Sequence, residues 1–319
     1  MREAIEAVVA RKPQAALEVE LTAAHVEAFE TNGWTSIARI TTDAEVGWLT
    51  ELYDALFRDR LETYDGGVWD LVRPYGSDGE DRLPQIVHPE RECEALKDTL
   101  FWRNGRKLAA QLMGLDPGLL EGWGHMIRKP AHVGDSLPWH QDEAYWDPAL
   151  IYRALGCWMP LDDATPQNGC MKFIPGSHRQ GIADHRHVDD DPMIPALFVE
   201  VDPADEARAV LAPLAAGGAI FHHSRTLHAS GPNTSDHVRR AYSTEWQLTP
   251  QKAKVAARRP WRDADRDRAQ SQEERRRANL SRRERLSGSP AGGRASKHQL
   301  AGRVEFLPLA RQPFGERVE

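Results

Sequence analysis

Leu137-Pro138-Trp139-His140-Gln141-Asp142-Glu143-Ala144 sets the reading of this chain. It is a short, strand-like run that carries a histidine and a carboxylate two residues apart. On an extended strand, positions i and i+2 point to the same face, so His140 and Asp142 present two metal-competent side chains together. A remote histidine would complete the two-His-one-carboxylate set that holds non-haem Fe(II) while leaving coordination positions open. His228 is that histidine, and the residues after it strengthen the reading.

The later segment is Thr226-Leu227-His228-Ala229-Ser230-Gly231-Pro232-Asn233, followed by Thr234-Ser235-Asp236-His237-Val238-Arg239. Ser-Gly-Pro-Asn is a turn composition that reverses the chain. From Arg239 the run Arg-Arg-Ala-Tyr-Ser-Thr-Glu-Trp-Gln reads as a strand. A hairpin built this way is expected to return Arg239 to the His228 end, where a planar guanidinium could grip a carboxylate with both of its arms. Arg239 and Arg240 must face opposite sides of that strand, so only one of them can point inward.

Working outward, residues 122–129, 139–145, 153–161, 170–174, 218–222 and 240–248 read as short strands separated by turn clusters. Such a series points to a sandwich or barrel. Before it, the spacing predicts a helix over 21–31 with Thr22 as its cap and Asn32-Gly33 as its stop. A strand from Trp34 to Ile40 follows, and then a helix capped by Thr42 or Asp43 that carries Val46, Leu49, Leu52, Tyr53, Leu56 and Phe57 at helical spacing. A further helical stretch covers 91–113. The expected class is α+β, mainly β: a double-stranded β-helix, or jelly roll of the cupin-like kind, backed by N-terminal helices. Residues 62–90, rich in Gly, Asp and Pro and containing Trp69 and Gln85, read as a lid or substrate loop or simply a surface loop.

The motifs resemble the phytanoyl-CoA dioxygenase family of Fe(II)/2-oxoglutarate oxygenases. The likeness rests on Pro138-Trp139-His140-Gln141-Asp142, on Asn168-Gly169-Cys170-Met171-Lys172-Phe173-Ile174-Pro175-Gly176-Ser177-His178, and on His228-Ala229-Ser230-Gly231-Pro232-Asn233 with Arg239. It covers roughly residues 20–250. It implies that His140, Asp142 and His228 bind iron and that Arg239, assisted by Ser230, binds the distal carboxylate of 2-oxoglutarate. It also implies that Trp158 lines the cosubstrate site. The implied activity is oxidation of a C–H bond of a small molecule by O2, with decarboxylation of 2-oxoglutarate to succinate and CO2. The alternatives are an acyl-CoA or carrier-bound substrate, or a non-catalytic metal- or ligand-binding protein on the same fold. Halogenases of this superfamily have a small residue where Asp142 stands, so hydroxylation or a related oxidation is expected and chlorination is not. His125 stands where the family often has Met, and the roles of His125, Lys129 and Gln85 stay open.

Composition bounds the rest. The chain has 319 residues, 40% of them hydrophobic, and ten Trp, enough for a sizeable core. No apolar run reaches the roughly 18 residues of a membrane span, and the acidic N-terminus lacks the apolar stretch of a secretory signal. Cys93, Cys157 and Cys170 are too few and too scattered for a disulfide framework, which suits a reducing cytoplasm. The net charge of −7 hides an asymmetry: residues 251–319 hold 18 Lys+Arg against 9 Asp+Glu, leaving 23 basic and 39 acidic residues in 1–250, a net of −16. A domain this acidic does not look like a nucleic-acid binder. The expected division is an oxygenase domain over 1–250 and a charged, Arg-rich, flexible tail over 251–319. The expected partner is a small-molecule substrate, with no nucleic acid and no membrane, and the chain is expected to act as a monomer or homodimer. His222 and His223 read as structural, and His185 and His187 as solvent-facing.

Overall fold

The computed structural model describes residues 2–63, 68–74, 77 and 79–262. All strand pairings among them are antiparallel. Eleven strands form two sheets: β1 (Trp34–Ile37), β2 (Val68–Asp70), β3 (Pro84–Val87), β4 (Glu121–Lys129), β5 (Leu137–His140), β6 (Ala154–Pro160), β7 (Met171–Phe173), β8 (Val210–Ala212), β9 (Ala219–His223), β10 (His228–Ser230) and β11 (Arg239–Gln247). The large sheet runs β1-β9-β6-β11-β4-β3-β2 and the small sheet β8-β7-β10-β5. The architecture is the expected jelly roll, with a cavity lined from both sheets.

The helices are α1 (Arg2–Val9), α2 (Ala23–Asn32), α3 (Asp43–Thr63) and α4 (Leu100–Met113), with short turns such as Pro89–Glu92 and Glu94–Asp98 between the last two. Thr22 caps α2 by accepting from the His25 N–H, and His25 Nδ1 accepts from the Thr22 N–H in return. Gly33 ends α2 at φ 85°, a left-handed conformation that glycine adopts without strain. The helical stretch expected over 91–113 is broken at Thr99, whose hydroxyl accepts from the Trp102 N–H and starts α4 anew. The Glu45 carboxylate on α3 accepts from the N–H groups of Leu100 and Phe101 at 2.8 and 3.0 Å, which ties the two helices together.

The large sheet sorts its side chains by the two-residue period of a strand. On β11, Tyr242 and Trp246 join Phe101, Trp102, Leu108, Leu52 and Tyr53 in the main core, while Arg239, Ser243 and Glu245 line the cavity. On β6, Leu155, Cys157 and Met159 face the helices and Trp158 faces the cavity. Each large apolar side chain buried this way contributes roughly 1.5–3 kcal/mol. The sheet is therefore held rigid from behind while its other face remains free for polar groups.

Two expectations change. Residues 68–70 and 84–87 of the anticipated loop are the last two strands of the large sheet, so Trp69 and Gln85 are placed by backbone pairing. Residues 64–67, 75, 76 and 78 lie outside the described residues. The His228 and Arg239 strands do not form a hairpin: β10 pairs with β5 and β7 in the small sheet, whereas β11 pairs with β4 and β6 in the large one. The turn after Ser230 carries the chain from one sheet to the other. Arg239 reaches the cavity from the opposite wall.

Past residue 250 the described chain continues to Arg262. Gln251–Lys252 pairs with Leu150–Ile151. Arg259 and Trp261 are buried; the Arg259 guanidinium donates to the carbonyls of Glu143 and Trp146, and Trp261 Nε1 donates to the Ala144 carbonyl at 3.0 Å. Residues 263–319, most of the expected tail, lie outside the described residues. No helix among the described residues is long and apolar enough to cross a membrane.

Candidate active site

His140 ends β5 and pairs directly with His228 at the start of β10, so two imidazoles meet across one rung, with ring centroids 4.2 Å apart. The ladder stops at His140. Gln141 stays extended, at φ −127° and ψ 133°, and Asp142 opens a 3-10 turn to Tyr145. The i, i+2 relation survives because Gln141 is extended, although Asp142 is no longer on a strand. His140, Asp142 and His228 each offer one ligand atom, all within 4.8 Å of one another. Asp142 Oδ1 lies 3.9 Å from His140 Nε2 and 3.5 Å from His228 Nε2.

The imidazoles are oriented from behind. His140 Nδ1 lies 2.8 Å from the Pro138 carbonyl and His228 Nδ1 2.9 Å from the Thr226 carbonyl. Each Nδ1–H donates to its carbonyl, which leaves both Nε2 lone pairs facing the centre. Burial, against the opposing pull of the Asp142 charge, holds His140 below and His228 well below the ordinary histidine range, so both are neutral and ready to bind a cation. Burial opposes ionisation of Asp142, but the proximity of His228 and a hydrogen bond from His222 outweigh it and keep the carboxyl below the usual range.

No motif marks that contact, and His222 read as a structural residue. His222 Nε2 lies 2.9 Å from Asp142 Oδ2, while its buried Nδ1 has no partner among the described residues. The carboxylate can only accept, so His222 Nε2–H donates to it. One Asp142 oxygen is occupied in this way and the other faces the two histidines. Gly156, across from His222 on β6, makes room: a Cβ there would stand 2.5 Å from His222 Cε1.

The turn that carries Asp142 is clamped. Gln141 Nε2 donates to the Gly181 and Arg225 carbonyls at 2.7 and 2.6 Å, its Oε1 accepts from the Ala183 N–H, and its own N–H donates to His185 Nε2 at 3.1 Å. Arg225 donates to both oxygens of Glu143, at 2.8 and 3.0 Å. His185 and His187, expected at the surface, are both buried; His187 Nδ1 bonds the Ile194 carbonyl. The acidic loop around them folds inward because His185 supports Gln141.

These groups open onto a cavity of about 260 Å3. Arg239 lies in its wall, 2% exposed, with Nε and Nη1 lacking a hydrogen-bond partner among the described residues, and its guanidinium stands 5.5 Å from the Trp158 ring centre. Burial lowers its pKa to about 10, so it stays charged at neutral pH. Arg240 faces the other side and pairs with Asp54 at 2.8 Å and Asp162 at 3.0 Å. Ser230 lines the same cavity, as do His125, Gln85 and Glu245. Burial brings His125 down to about 4. Burial and the charge of Asp142 push Glu245 well above the usual carboxyl range. Lys129, the neighbour of Arg239 across the β11–β4 pairing, is fully buried and donates to the Asp135 carbonyl.

A two-imidazole, one-carboxylate set suits Fe(II), and a buried guanidinium without a counter-ion calls for an anion. Known proteins resemble this chain in sequence and in fold. The family model described as phytanoyl-CoA dioxygenase (PhyH) matches residues 29–241. The phytanoyl-CoA dioxygenase domain-containing protein 1 of Danio rerio is 31% identical over 185 residues, covering 56% of this chain and 62% of that protein, so the match spans less than two thirds of that relative. EvdO2 from Micromonospora carbonacea var. aurantiaca, solved in complex with 2-oxoglutarate, is 35% identical over 77% of this chain and 99% of that one, with a TM-score of 0.67. The epimerase SnoN, solved with Fe3+, alpha ketoglutarate and nogalamycin RO, shares the fold at 21% identity and a TM-score of 0.54, over 75% of this chain and 86% of that one. This chain belongs to the phytanoyl-CoA dioxygenase family of Fe(II)/2-oxoglutarate-dependent oxygenases.

Proposed function

We propose that this protein is an Fe(II)/2-oxoglutarate-dependent dioxygenase that oxidises a C–H bond of a small molecule. One observation carries the reading: a single cavity receives both a complete two-His-one-carboxylate set and an unpaired, buried guanidinium. His140, Asp142 and His228 would hold the iron. Arg239, with the Ser230 hydroxyl beside it, would receive the far carboxylate of 2-oxoglutarate against the face of Trp158. Bound there, iron and 2-oxoglutarate supply oxidation by O2, with decarboxylation of the cosubstrate to succinate and CO2.

The chain's own part is placement. The Pro138 and Thr226 carbonyls fix the imidazole tautomers, and His222 turns one Asp142 oxygen away from the metal position. The planar fork of Arg239 discriminates in favour of a five-carbon diacid over shorter 2-oxo acids, because only the longer acid places its second carboxylate against it. The apolar remainder of the cavity keeps water from the reacting groups.

The reading includes a cytoplasmic location, consistent with three free, buried cysteines, and a monomeric or homodimeric state. It also extends the oxygenase domain from residue 250 at least to Trp261, because Arg259 and Trp261 are buried against the turn that carries Asp142. Limited proteolysis should leave Trp261 within the stable core; stable cleavage nearer residue 250 would contradict this.

The deciding experiment is incubation with Fe(II), ascorbate, 2-oxoglutarate and a library of small molecules, followed by mass spectrometry. Succinate should form, and with a competent substrate the product should carry one more oxygen or a new unsaturation. In excess chloride no chlorine should enter, because Asp142 fills the position a halide needs. A chlorinated product, or no 2-oxoglutarate turnover under any condition, would refute the reading.

A further inference from the structure

The cavity ends, away from Arg239, against a second buried ionisable group. Glu245 lies on the same strand, six residues further on, about 20 Å of extended chain. It lines the cavity, is 3% exposed, and its Oε2 has no hydrogen-bond partner among the described residues. Its neighbours in register are Trp123 on β4 and Gly156 on β6. The missing side chain at 156 makes room for the carboxyl beside His222: a Cβ there would stand 3.0 Å from Glu245 Oε1 and 2.5 Å from His222 Cε1. Trp69, Trp123, Tyr145 and Trp146 line the same cavity.

We propose that the Glu245 end of the cavity is the substrate subsite and that it takes a protonated amine carried on an apolar frame. This rests on the oxygenase reading, which assigns the Arg239 end to the cosubstrate. A buried carboxyl oxygen with no donor is costly, so a ligand that belongs there must bring N–H or O–H groups to it. An ammonium brings three N–H donors to that oxygen and a charge against which the buried carboxyl ionises on binding, which a hydroxyl lacks. Aromatic walls attract cations and reject anions through the negative faces of their rings. Arg239 is the only lysine or arginine among the lining residues, so an anionic group at this end would meet the Glu245 carboxyl with no basic side chain to receive it. The net charge of −16 over residues 1–250 draws cations toward the domain as a whole.

The test uses two probes of matched shape, benzylammonium and benzyl alcohol, titrated into the full chain. Tryptophan fluorescence reports the binding, first on the metal-free protein and then on protein loaded anaerobically with Fe(II) and 2-oxoglutarate. Benzylammonium should bind about tenfold tighter than benzyl alcohol, equivalent to about 1.4 kcal/mol. Glu245→Gln should erase that preference and Glu245→Asp should keep part of it, with thermal midpoints recorded for both variants to confirm that they fold. Equal binding of the two probes, failure of benzylammonium to bind saturably, or a preference that survives in Glu245→Gln would overturn the proposal. The last outcome would mean that the amine reaches iron or the aromatic walls alone. Should Glu245→Gln fail to fold, the comparison between the unaltered chain and Glu245→Asp decides: an amine preference identical in both overturns the proposal. The absorption band of the Fe(II)–2-oxoglutarate complex, followed in the same samples, tests the oxygenase reading separately.

Discussion

The two sheets contribute to one cavity in different ways. The small sheet supplies atoms for the metal: His140 and His228 share a rung, and Asp142 follows one extended residue later. The large sheet supplies what surrounds the metal, namely Arg239, Trp158, His222 and Glu245 on three neighbouring strands. The small-sheet groups are close in sequence to one another or carry a local motif. The large-sheet groups come together only because β9, β6 and β11 lie side by side, packed from behind by α3 and α4. A site can thus combine a compact, locally encoded centre with a wall that depends on the whole fold.

If the division is right, damage to the small sheet should abolish chemistry, while damage to the large sheet should tune it. The largest effect is expected from His140→Ala, Asp142→Ala or His228→Ala. Each should reduce 2-oxoglutarate turnover to background and sharply weaken iron binding by the apo-protein. Full turnover in Asp142→Ala would remove the carboxylate from the metal set.

Arg239→Ala comes next. It should raise the apparent KM for 2-oxoglutarate on the order of 100-fold, as loss of a buried charged hydrogen-bonding partner does, while iron binding stays within a few fold. Arg239→Lys should recover part of the loss, since it keeps the charge but not the fork. An equal effect from Arg240→Ala would put the wrong face of β11 in the cavity.

His222→Phe should act on the metal from a distance. Removing the donor to Asp142 Oδ2 should lower iron affinity by about 10-fold, within the range for partners of metal ligands, with a smaller change in the KM for 2-oxoglutarate. His222→Gln, which can still donate, should recover part of the affinity. Unchanged iron affinity in both variants would reduce His222 to core packing.

The smallest effect concerns pH. Burial holds His125, His185 and His223 down at about 4, against an unfolded value near 6.5. Between those values the unfolded chain binds protons that the folded chain refuses, so stability is lost as pH falls through that window. Glu245, raised in the folded state, pulls the other way, since its proton is favoured by folding. Three histidines outweigh one carboxyl, and the metal-free chain should melt a few degrees lower at pH 5 than at pH 7. A midpoint that rises toward pH 5 would show that Glu245 dominates.

The part of the site legible in the sequence follows the same division. His140, Asp142, His228 and Arg239 stand in segments whose spacing and turn chemistry read locally. Alternation along Arg239-Arg240 left one of them facing in. His222 and Glu245 gave no such signal, because the partner of a strand residue depends on which distant strand lies beside it. The hairpin expected after Ser230 failed for the same reason: Ser-Gly-Pro-Asn shows that the chain turns, not which sheet it joins next. His185 looked exposed because its loop is acidic, yet a buried acceptor was needed for the Gln141 N–H. The fold was more legible than the site's walls, since the strand runs and the caps at Thr22 and Gly33 are written in adjacent residues.

The central claim is that one chain holds one Fe(II) and that 2-oxoglutarate joins it in the same cavity. Anaerobic titration of the apo-protein with Fe(II), followed by 2-oxoglutarate, tests it most directly through the visible charge-transfer absorption of the Fe(II)–2-oxoglutarate chelate. The account predicts saturation at one iron and one 2-oxoglutarate per chain, with the band absent until both are present. A chain that takes up 2-oxoglutarate equally well without iron, or binds iron without developing the band, would contradict it.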